Sequence, residues 1–143
     1  MYLTEHNAGK ADAIRAKIEE WAPALARAER AVLLRDLVQA VSAVSNTAGT
    51  YGCYLKTWKQ RALQPLTLRP EDMPLRASDC AGHEVRCEDA ESVAGDLAGV
   101  DVAYLDPPYT KRQYAAYYHL LETLVTGDTP PVSGSTGLPP WQI

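Results

Sequence analysis

Apolar residues at three- and four-residue spacing predict two amphipathic helices in the first third of the chain. The first apolar stripe comprises Ala11, Ile14, Ile18 and Trp21. Pro23 ends this helix and suits the first turn of the next one. The second stripe comprises Leu25, Ala28, Val32, Leu33, Leu37, Val41 and Val44. Two such helices joined by a short turn are expected to pack as a hairpin that acts as scaffold.

A polar loop with two glycines, residues 45–52, follows the predicted hairpin. Residues 54–61 then interleave aromatic and basic side chains, and Lys56, Lys59 and Arg61 carry the positive charge. Aromatic rings and cations together suit contact with nucleic-acid bases and phosphates. The same pattern is typical of a half-buried surface helix, so both interpretations stay open.

A strand, helix, strand order follows a proline-rich connection at residues 62–82. The connection contains one short candidate edge strand at residues 66–68. A strand is predicted at residues 85–87, a helix at 90–97 and a second strand at 100–105. This order is typical of a parallel α/β sheet.

A turn is expected after the second strand, because Asp106-Pro107-Pro108-Tyr109 places two prolines where a central strand would have to continue. A last helix is predicted over residues 111–125, and the residues after it lack a helical or strand period. The predicted division is therefore a helical hairpin with a candidate DNA-facing loop region at 1–61, a partial α/β segment at 62–126 and a flexible tail at 127–143.

Composition places the chain of 143 residues, 46% apolar and 22% charged, among soluble globular proteins. No apolar run approaches the length of a membrane span, and the first residues lack a leader pattern. We therefore expect no membrane association. Three cysteines without C-x-x-C spacing predict neither a disulfide framework nor a metal site, which fits the reducing cytoplasm.

The net charge of −4 is unevenly distributed along the chain. Residues 46–76 hold five basic and two acidic side chains, whereas residues 77–143 hold three basic and ten acidic ones. A protein that bound a polyanion over its whole surface would be basic overall. Any nucleic-acid contact must therefore be local, and Lys56, Lys59 and Arg61 mark its expected location.

Both predicted strands end in a carboxylate, Asp89 in the first case and Asp106 in the second. Ligands of open α/β sheets bind beyond the carboxyl ends of the strands, so both residues are candidate site residues. Asp89 has an equally simple interpretation as the N-cap of the helix that follows. The alternative for Asp106 is an ordinary turn.

Residues 104–109, Tyr-Leu-Asp-Pro-Pro-Tyr, together with residues 112–114 and 118–122, resemble the catalytic region of S-adenosylmethionine-dependent DNA adenine methyltransferases of the Dam-like class. Further segments similar to this family are residues 2–5 with Asn7, residues 12–15, 18–19, 45–52 and 134–138. The resemblance covers nearly the whole chain, and its most specific part is the Asp-Pro-Pro-Tyr motif.

The resemblance implies that the exocyclic amine of adenine attacks the methyl group directly, while the protein orients and stabilises it. Asp106 and the carbonyl of Pro107 would accept the two amino hydrogens, and the rigid Pro107-Pro108 backbone would hold that carbonyl in place. Tyr109 would stack on the adenine once it has left the duplex. Asp89 matches the acidic position that meets the adenine of the cofactor. The residues expected to contact DNA are Asn46, Tyr51, Lys56, Lys59, Arg61 and Arg112.

The resemblance also implies a partial Rossmann-like methyltransferase sheet with two parallel strands beside the helical hairpin. Family members carry a glycine-rich F-x-G-x-G type loop that holds the methionine part of the cofactor, and none of the glycine pairs of this chain, at 49 and 52, 95 and 99, or 134 and 137, forms such a loop after a strand. We therefore expect S-adenosylmethionine as methyl donor, but an isolated chain that is inactive. A complementing polypeptide would have to provide the glycine-rich loop.

The predicted function is thus part of a cytoplasmic, site-specific DNA methyltransferase of a restriction-modification system, acting on an adenine flipped out of double-stranded DNA. An alternative is a noncatalytic remnant that binds DNA or a protein. A third interpretation is an unrelated α/β enzyme with an accidental Asp-Pro-Pro-Tyr sequence. Methyl transfer and duplex binding are the two measurements that distinguish them.

Overall fold

The described residues of the computed structural model, 1–69, 82–106 and 114–139, contain four α-helices. These are α1 (Glu5–Trp21), α2 (Arg27–Ala43), α3 (Ala90–Asp96) and α4 (Tyr114–Thr126). Short 3₁₀ turns lie at Ala22–Ala24 and Gln60–Leu63. The chain forms two compact units: the first unit is Met1–Glu71 with Gln113–Ile143, and the second unit is Asp72–Arg112.

Local capping explains where the first two helices begin. The side chain of Thr4 accepts a hydrogen bond of 3.2 Å from the backbone N–H of Asn7, so α1 begins at Glu5, before its first apolar stripe residue. Pro23 lies in the 3₁₀ turn that ends α1. The carboxylate of Glu29 accepts the backbone N–H of Ala26 at 2.8 Å and so caps the start of α2.

The core of the first unit forms where α1 packs against α2 and α2 packs against α4. Its buried members are Ala11, Ile18, Leu34, Leu37, Ala40, Val41, Val44 and Leu66. Leu120, Leu121 and Leu124 of α4 pack onto this cluster. The predicted N-terminal hairpin is therefore present, and α4 covers it as a third helix.

The predicted α/β fold with a partial Rossmann-like sheet is wrong for the described residues, which contain helices and no strand. Residues 85–87 and 100–105 lie within the described part of the second unit, and no backbone hydrogen bond is found there that pairs one of these segments with the other. Val85 is 96% exposed and Val102 is 84% exposed. An apolar run becomes a strand only when a partner satisfies its backbone groups, and these segments lack one among the described residues.

The structure also bears on the two later predicted helices, the candidate edge strand and the residues after the last helix. The helix predicted at 90–97 is α3, and the helix predicted at 111–125 corresponds to α4. Residues 111–113 of that prediction lie outside the described ranges. No strand forms at residues 66–68. After α4, the described backbone is irregular apart from one antiparallel bridge between Ser133 and Leu138. None of the helices in the described ranges has the length and apolar character needed to cross a bilayer.

Candidate functional site

The loop that follows α2 is built around the buried side chain of Asn46, which is 1% exposed. Its Oδ1 accepts the backbone N–H of Lys59 at 3.1 Å, and its Nδ2 donates to the carbonyl of Leu55 at 3.0 Å. Its backbone N–H donates to the carbonyl of Tyr2 at 2.8 Å, and its own carbonyl accepts from Leu55 at 2.9 Å. Asn46 therefore joins the loop, the N-terminal segment and the basic segment. Its predicted contact with DNA stays a prediction.

Tyr51 belongs to the same loop, and its side chain is buried, with 4% exposed. Its hydroxyl lies 2.8 Å from the hydroxyl of Ser45, and its carbonyl accepts a 2.6 Å hydrogen bond from the hydroxyl of Tyr2. Its backbone N–H donates to the carbonyl of Tyr117 in α4 at 2.9 Å. Tyr51 thus links the loop to α4, and its predicted DNA contact is likewise untested.

Gly52 lies against the ring of Tyr117 in α4. A Cβ atom at position 52 would approach Cε1 of that ring to 2.7 Å and Cδ1 to 2.8 Å. Atoms of a side chain cannot come this close without a shift of the ring or of the loop. The glycine is therefore explained by close packing of the loop on α4, which the sequence alone does not reveal.

Aromatic rings from three segments meet beneath this loop. The ring of Tyr2 lies 5.5 Å from that of Tyr54 and 5.7 Å from those of Tyr51 and His119, measured between centroids. The contacts with Tyr54 and His119 are edge-to-face, a favourable arrangement for aromatic pairs. Burial, together with the neighbouring Cys53 and Tyr54 acting in the same direction, raises the pKa of Tyr2 to about 12.

The cationic groups of Lys59 and Arg61 converge on one backbone oxygen. Lys59 Nζ donates to the carbonyl of Thr47 at 3.3 Å, and Arg61 Nη2 donates to the same carbonyl at 3.2 Å. Both side chains are exposed, as is that of Lys56. Among the described residues, neither Lys59 nor Arg61 forms an ion pair with a carboxylate. Within the described part of the chain, this corner of the first unit therefore concentrates positive charge that no carboxylate pairs with.

The two candidate acids lie in the second unit. Asp89 is exposed, and its carboxylate accepts the backbone N–H of Ser92 at 3.0 Å as the N-cap of α3. The capping interpretation of Asp89 is thus realised, while a cofactor contact stays a prediction. Asp106 is exposed at the end of the described range. Pro107, Pro108, Tyr109 and Arg112 lie outside the described residues.

A cavity of about 920 Å³ opens in the first unit between α1, α4 and the irregular segment after α4. Its lining is mainly apolar, and it includes the buried ring of His119, whose Nδ1 lies 3.0 Å from the carbonyl of Ala116. Of the predicted site residues that the structure describes, none lines this cavity. Over the described ranges, no group of three or more metal-ligating side chains comes together.

The chain belongs to the family of D12 class N6 adenine-specific DNA methyltransferases, whose sequence profile matches residues 1–142. Among curated relatives, it is 42% identical to the type II methyltransferase M.FokI of Planomicrobium okeanokoites over 99% of this chain. It is 41% identical to the modification methylase LlaI of Lactococcus lactis subsp. lactis and 41% identical to the type II methyltransferase M.NlaIII of Neisseria lactamica, each over 96% of this chain.

The matched region is a limited part of each relative. It covers 22% of M.FokI, 22% of LlaI and 40% of M.NlaIII. No solved structure matches the chain. The family assignment therefore rests on sequence, and what the full-length relatives do is carried to this chain only as a proposal.

Proposed function

We propose that this chain is part of a DNA methyltransferase that transfers a methyl group from S-adenosylmethionine to the exocyclic amine of adenine in double-stranded DNA. The observation that carries the proposal is the match of the whole chain to the D12 class together with the sequence Asp106-Pro107-Pro108-Tyr109. The names of the relatives as type II methyltransferases favour a site-specific enzyme of a restriction-modification system.

The chemistry requires no nucleophile from the protein. S-adenosylmethionine, when bound, would supply the methyl group: a nitrogen–carbon bond would form to the amine and the carbon–sulfur bond would break with its electron pair remaining on sulfur. Loss of one amine proton to solvent would relieve the positive charge that develops on nitrogen. Asp106 and the Pro107 carbonyl would accept the amine hydrogens, and Tyr109 would stack on the flipped base.

The residues of this chain do not by themselves fit the methyl donor. Asp89, the one acid matched to the cofactor's adenine, caps α3 through Oδ1, and this cap does not exclude a cofactor contact. The F-x-G-x-G loop of the family has no counterpart in a sequence without Phe. We therefore propose that a complementing polypeptide with that loop is needed for activity.

The test is methyl transfer from labelled S-adenosylmethionine to duplex DNA, measured for the chain alone and with a polypeptide that carries the glycine-rich loop. We expect no transfer by the chain alone and transfer by the mixture. In the mixture, Asp106→Ala should lower turnover by about 10²-fold or more, because it removes a preorganised acceptor.

Asp101→Ala is the matched control, since Asp101 is an exposed acid of the same unit outside the motif. It should leave turnover within a factor of about two, as expected for a surface change. Transfer by the chain alone would refute the need for a complement. Unchanged turnover of Asp106→Ala would remove Asp106 from the mechanism.

DNA binding without catalysis is the second candidate function, favoured by the exposed cations Lys56, Lys59 and Arg61. Under this alternative, the chain binds labelled duplex but shows no methyl transfer with any complement. Binding that weakens steeply as salt rises would indicate phosphate contacts.

A further inference from the structure

The head groups of Lys59 and Arg61 are held together although they repel each other. Both donate to the Thr47 carbonyl, which is a neutral acceptor and compensates neither charge. Lys has three N–H donors and Arg has five, so each head group has donors beyond the one given to Thr47. An anion beside the pair would relieve the repulsion and accept these remaining donors.

The backbone beneath the pair is fixed by buried groups. Asn46 Oδ1 holds the N–H of Lys59, and the carbonyl of Lys59 accepts the N–H of Ala62 at 2.9 Å across the 3₁₀ turn that carries Arg61. Thr47 is 3% exposed and Ala62 is fully buried. Because the backbone of the two cations is already ordered, binding an anion there requires less loss of conformational freedom.

We propose that Lys59 and Arg61 jointly bind a single backbone phosphate of DNA. The inference rests on the proposed function for its choice of DNA as the polyanion. A shared phosphate follows from the convergence of both head groups on one carbonyl oxygen, because two groups this close can reach the two free oxygens of one phosphate. Asn46 and Tyr51 then shape the loop from inside, whereas Lys59 and Arg61 contact the ligand.

The test measures binding of a short fluorescein-labelled duplex to the full chain by anisotropy, from about 20 to 200 mM salt. The variants are Lys59→Gln, Arg61→Gln and the double variant. The matched control is Lys10→Gln with Arg27→Gln, which removes the same charge from two exposed cations of α1 and α2 that form no ion pair within the described ranges.

We expect the double variant to weaken binding several-fold at low salt and to reduce the slope of log K against log salt by about one, the value for one phosphate. Each single variant should give nearly the full loss, because a shared phosphate needs both cations. The control pair should retain the wild-type slope. Unchanged circular dichroism of all variants would establish that folding is not the cause.

Three outcomes would overturn the inference. These are absence of duplex binding by the wild type at low salt, equal losses for the control and the Lys59/Arg61 double variant, and additive losses with a slope change of about two, which would mean two separate phosphates. The methyl-transfer assay is read independently. If complementation gives no methyl transfer but duplex binding still depends on Lys59 and Arg61, the proposed function is rejected and the phosphate site is retained. If complementation gives methyl transfer but duplex binding does not depend on these two residues, the phosphate site is rejected and the proposed function is retained.

Discussion

Tyr2 joins three separate segments of the first unit through one hydroxyl and one ring. The hydroxyl donates to the carbonyl of Tyr51, and the ring packs edge-to-face against Tyr54 and His119. The phenol must stay protonated to donate this bond. Burial, helped by Cys53 and Tyr54, raises its pKa to about 12 and so keeps the proton in place well above neutral pH.

The shifted pKa of Tyr2 makes the stability of the fold depend on alkaline pH. In the unfolded chain the phenol ionises near its ordinary pKa of 10.0, whereas in the folded chain it stays neutral until about pH 12. Its contribution is therefore complete below pH 10 and is lost as pH rises from about 10 towards 12. Tyr2→Phe should lower the melting temperature at pH 8, and the difference from wild type should shrink by pH 11.

Tyr104→Phe is the control for this titration, because Tyr104 is 88% exposed and has no packed ring to disturb. Its melting temperature should follow that of the wild type across the pH range. A constant difference between wild type and Tyr2→Phe from pH 8 to 11 would contradict the raised pKa of Tyr2.

Individual site residues could be predicted from the sequence only by chemical type. The sequence identifies Lys59 and Arg61 as cations of a local basic segment, and the structure exposes both. The sequence predicts DNA contact for Asn46 and Tyr51, which stays a prediction, and the structure buries both side chains as internal links of the loop. Asn46 is hydrogen-bonded to Leu55 and Lys59, and Tyr51 is hydrogen-bonded to Tyr117. No rule of sequence spacing identifies these partners.

At the level of helices, α4 is held at its C-terminal end by a buried arginine of α1. Arg15 is 8% exposed, its Nε donates to the carbonyl of Leu124 at 2.6 Å, and its Nη2 donates to that of Val125 at 3.0 Å. The last carbonyls of a helix lack partners within the helix and carry partial negative charge. Gly127, with a φ of 74°, lets the chain turn away beside the guanidinium.

Replacing Arg15 by Met should therefore destabilise α4, because Met keeps an apolar stem like that of arginine but lacks the guanidinium. We expect a loss of about 1–3 kcal/mol in the free energy of unfolding, since buried carbonyls lose charged donors. Hydrogen exchange should speed up most in the last turn of α4. Lys17→Met is the control, because Lys17 pairs with Glu20 on the exposed face of α1 and should change stability by less than about 0.5 kcal/mol. Equal effects of both substitutions would refute the capping role.

The sequence does contain a signal for Arg15. It lies four residues after Ala11 and three before Ile18, so it falls on the apolar stripe of α1 rather than on the charged face. A cation on a buried stripe requires hydrogen-bond partners inside the protein. The periodicity could thus have predicted a buried arginine, but not that its partners lie 109 and 110 positions away in α4.

The helices could be predicted because their hydrogen bonds join residues close together in the sequence. The strands could not be predicted in this way, because their hydrogen bonds need a second segment. The apolar stripes of α1 and α2 and the Asp89 cap of α3 depend on residues within a few positions of each other. Residues 85–87 and 100–105 have apolar residues typical of strands, yet a strand requires a partner at the right distance. The pattern of one segment cannot report whether that partner exists, and the described residues do not contain it.

At the scale of the whole molecule, burial is concentrated in the first unit. Its core residues come from α1, from α2 with its C-cap Val44, and from Leu66, with the leucines of α4 packed against them. In the second unit, α3 has no buried residue, and Val85, Val102 and Leu105 are each at least 79% exposed. Among the described residues, the apolar area that stabilises folding therefore lies within one noncontiguous part of the chain.

This distribution predicts that the first unit folds without the second. Replacement of residues 72–112 by a flexible Gly/Ser linker should retain the helical circular dichroism of α1, α2 and α4 and a cooperative thermal transition, because every described core residue remains. The same deletion with Leu37→Asp should abolish the transition, since Leu37 is fully buried and a carboxylate there would be unpaired. The deletion variant should also bind duplex DNA with the salt slope of the full chain, because Lys59, Arg61 and Thr47 all belong to the first unit. A gradual, noncooperative melt of the deletion variant would mean that the fold of the first unit depends on residues 72–112.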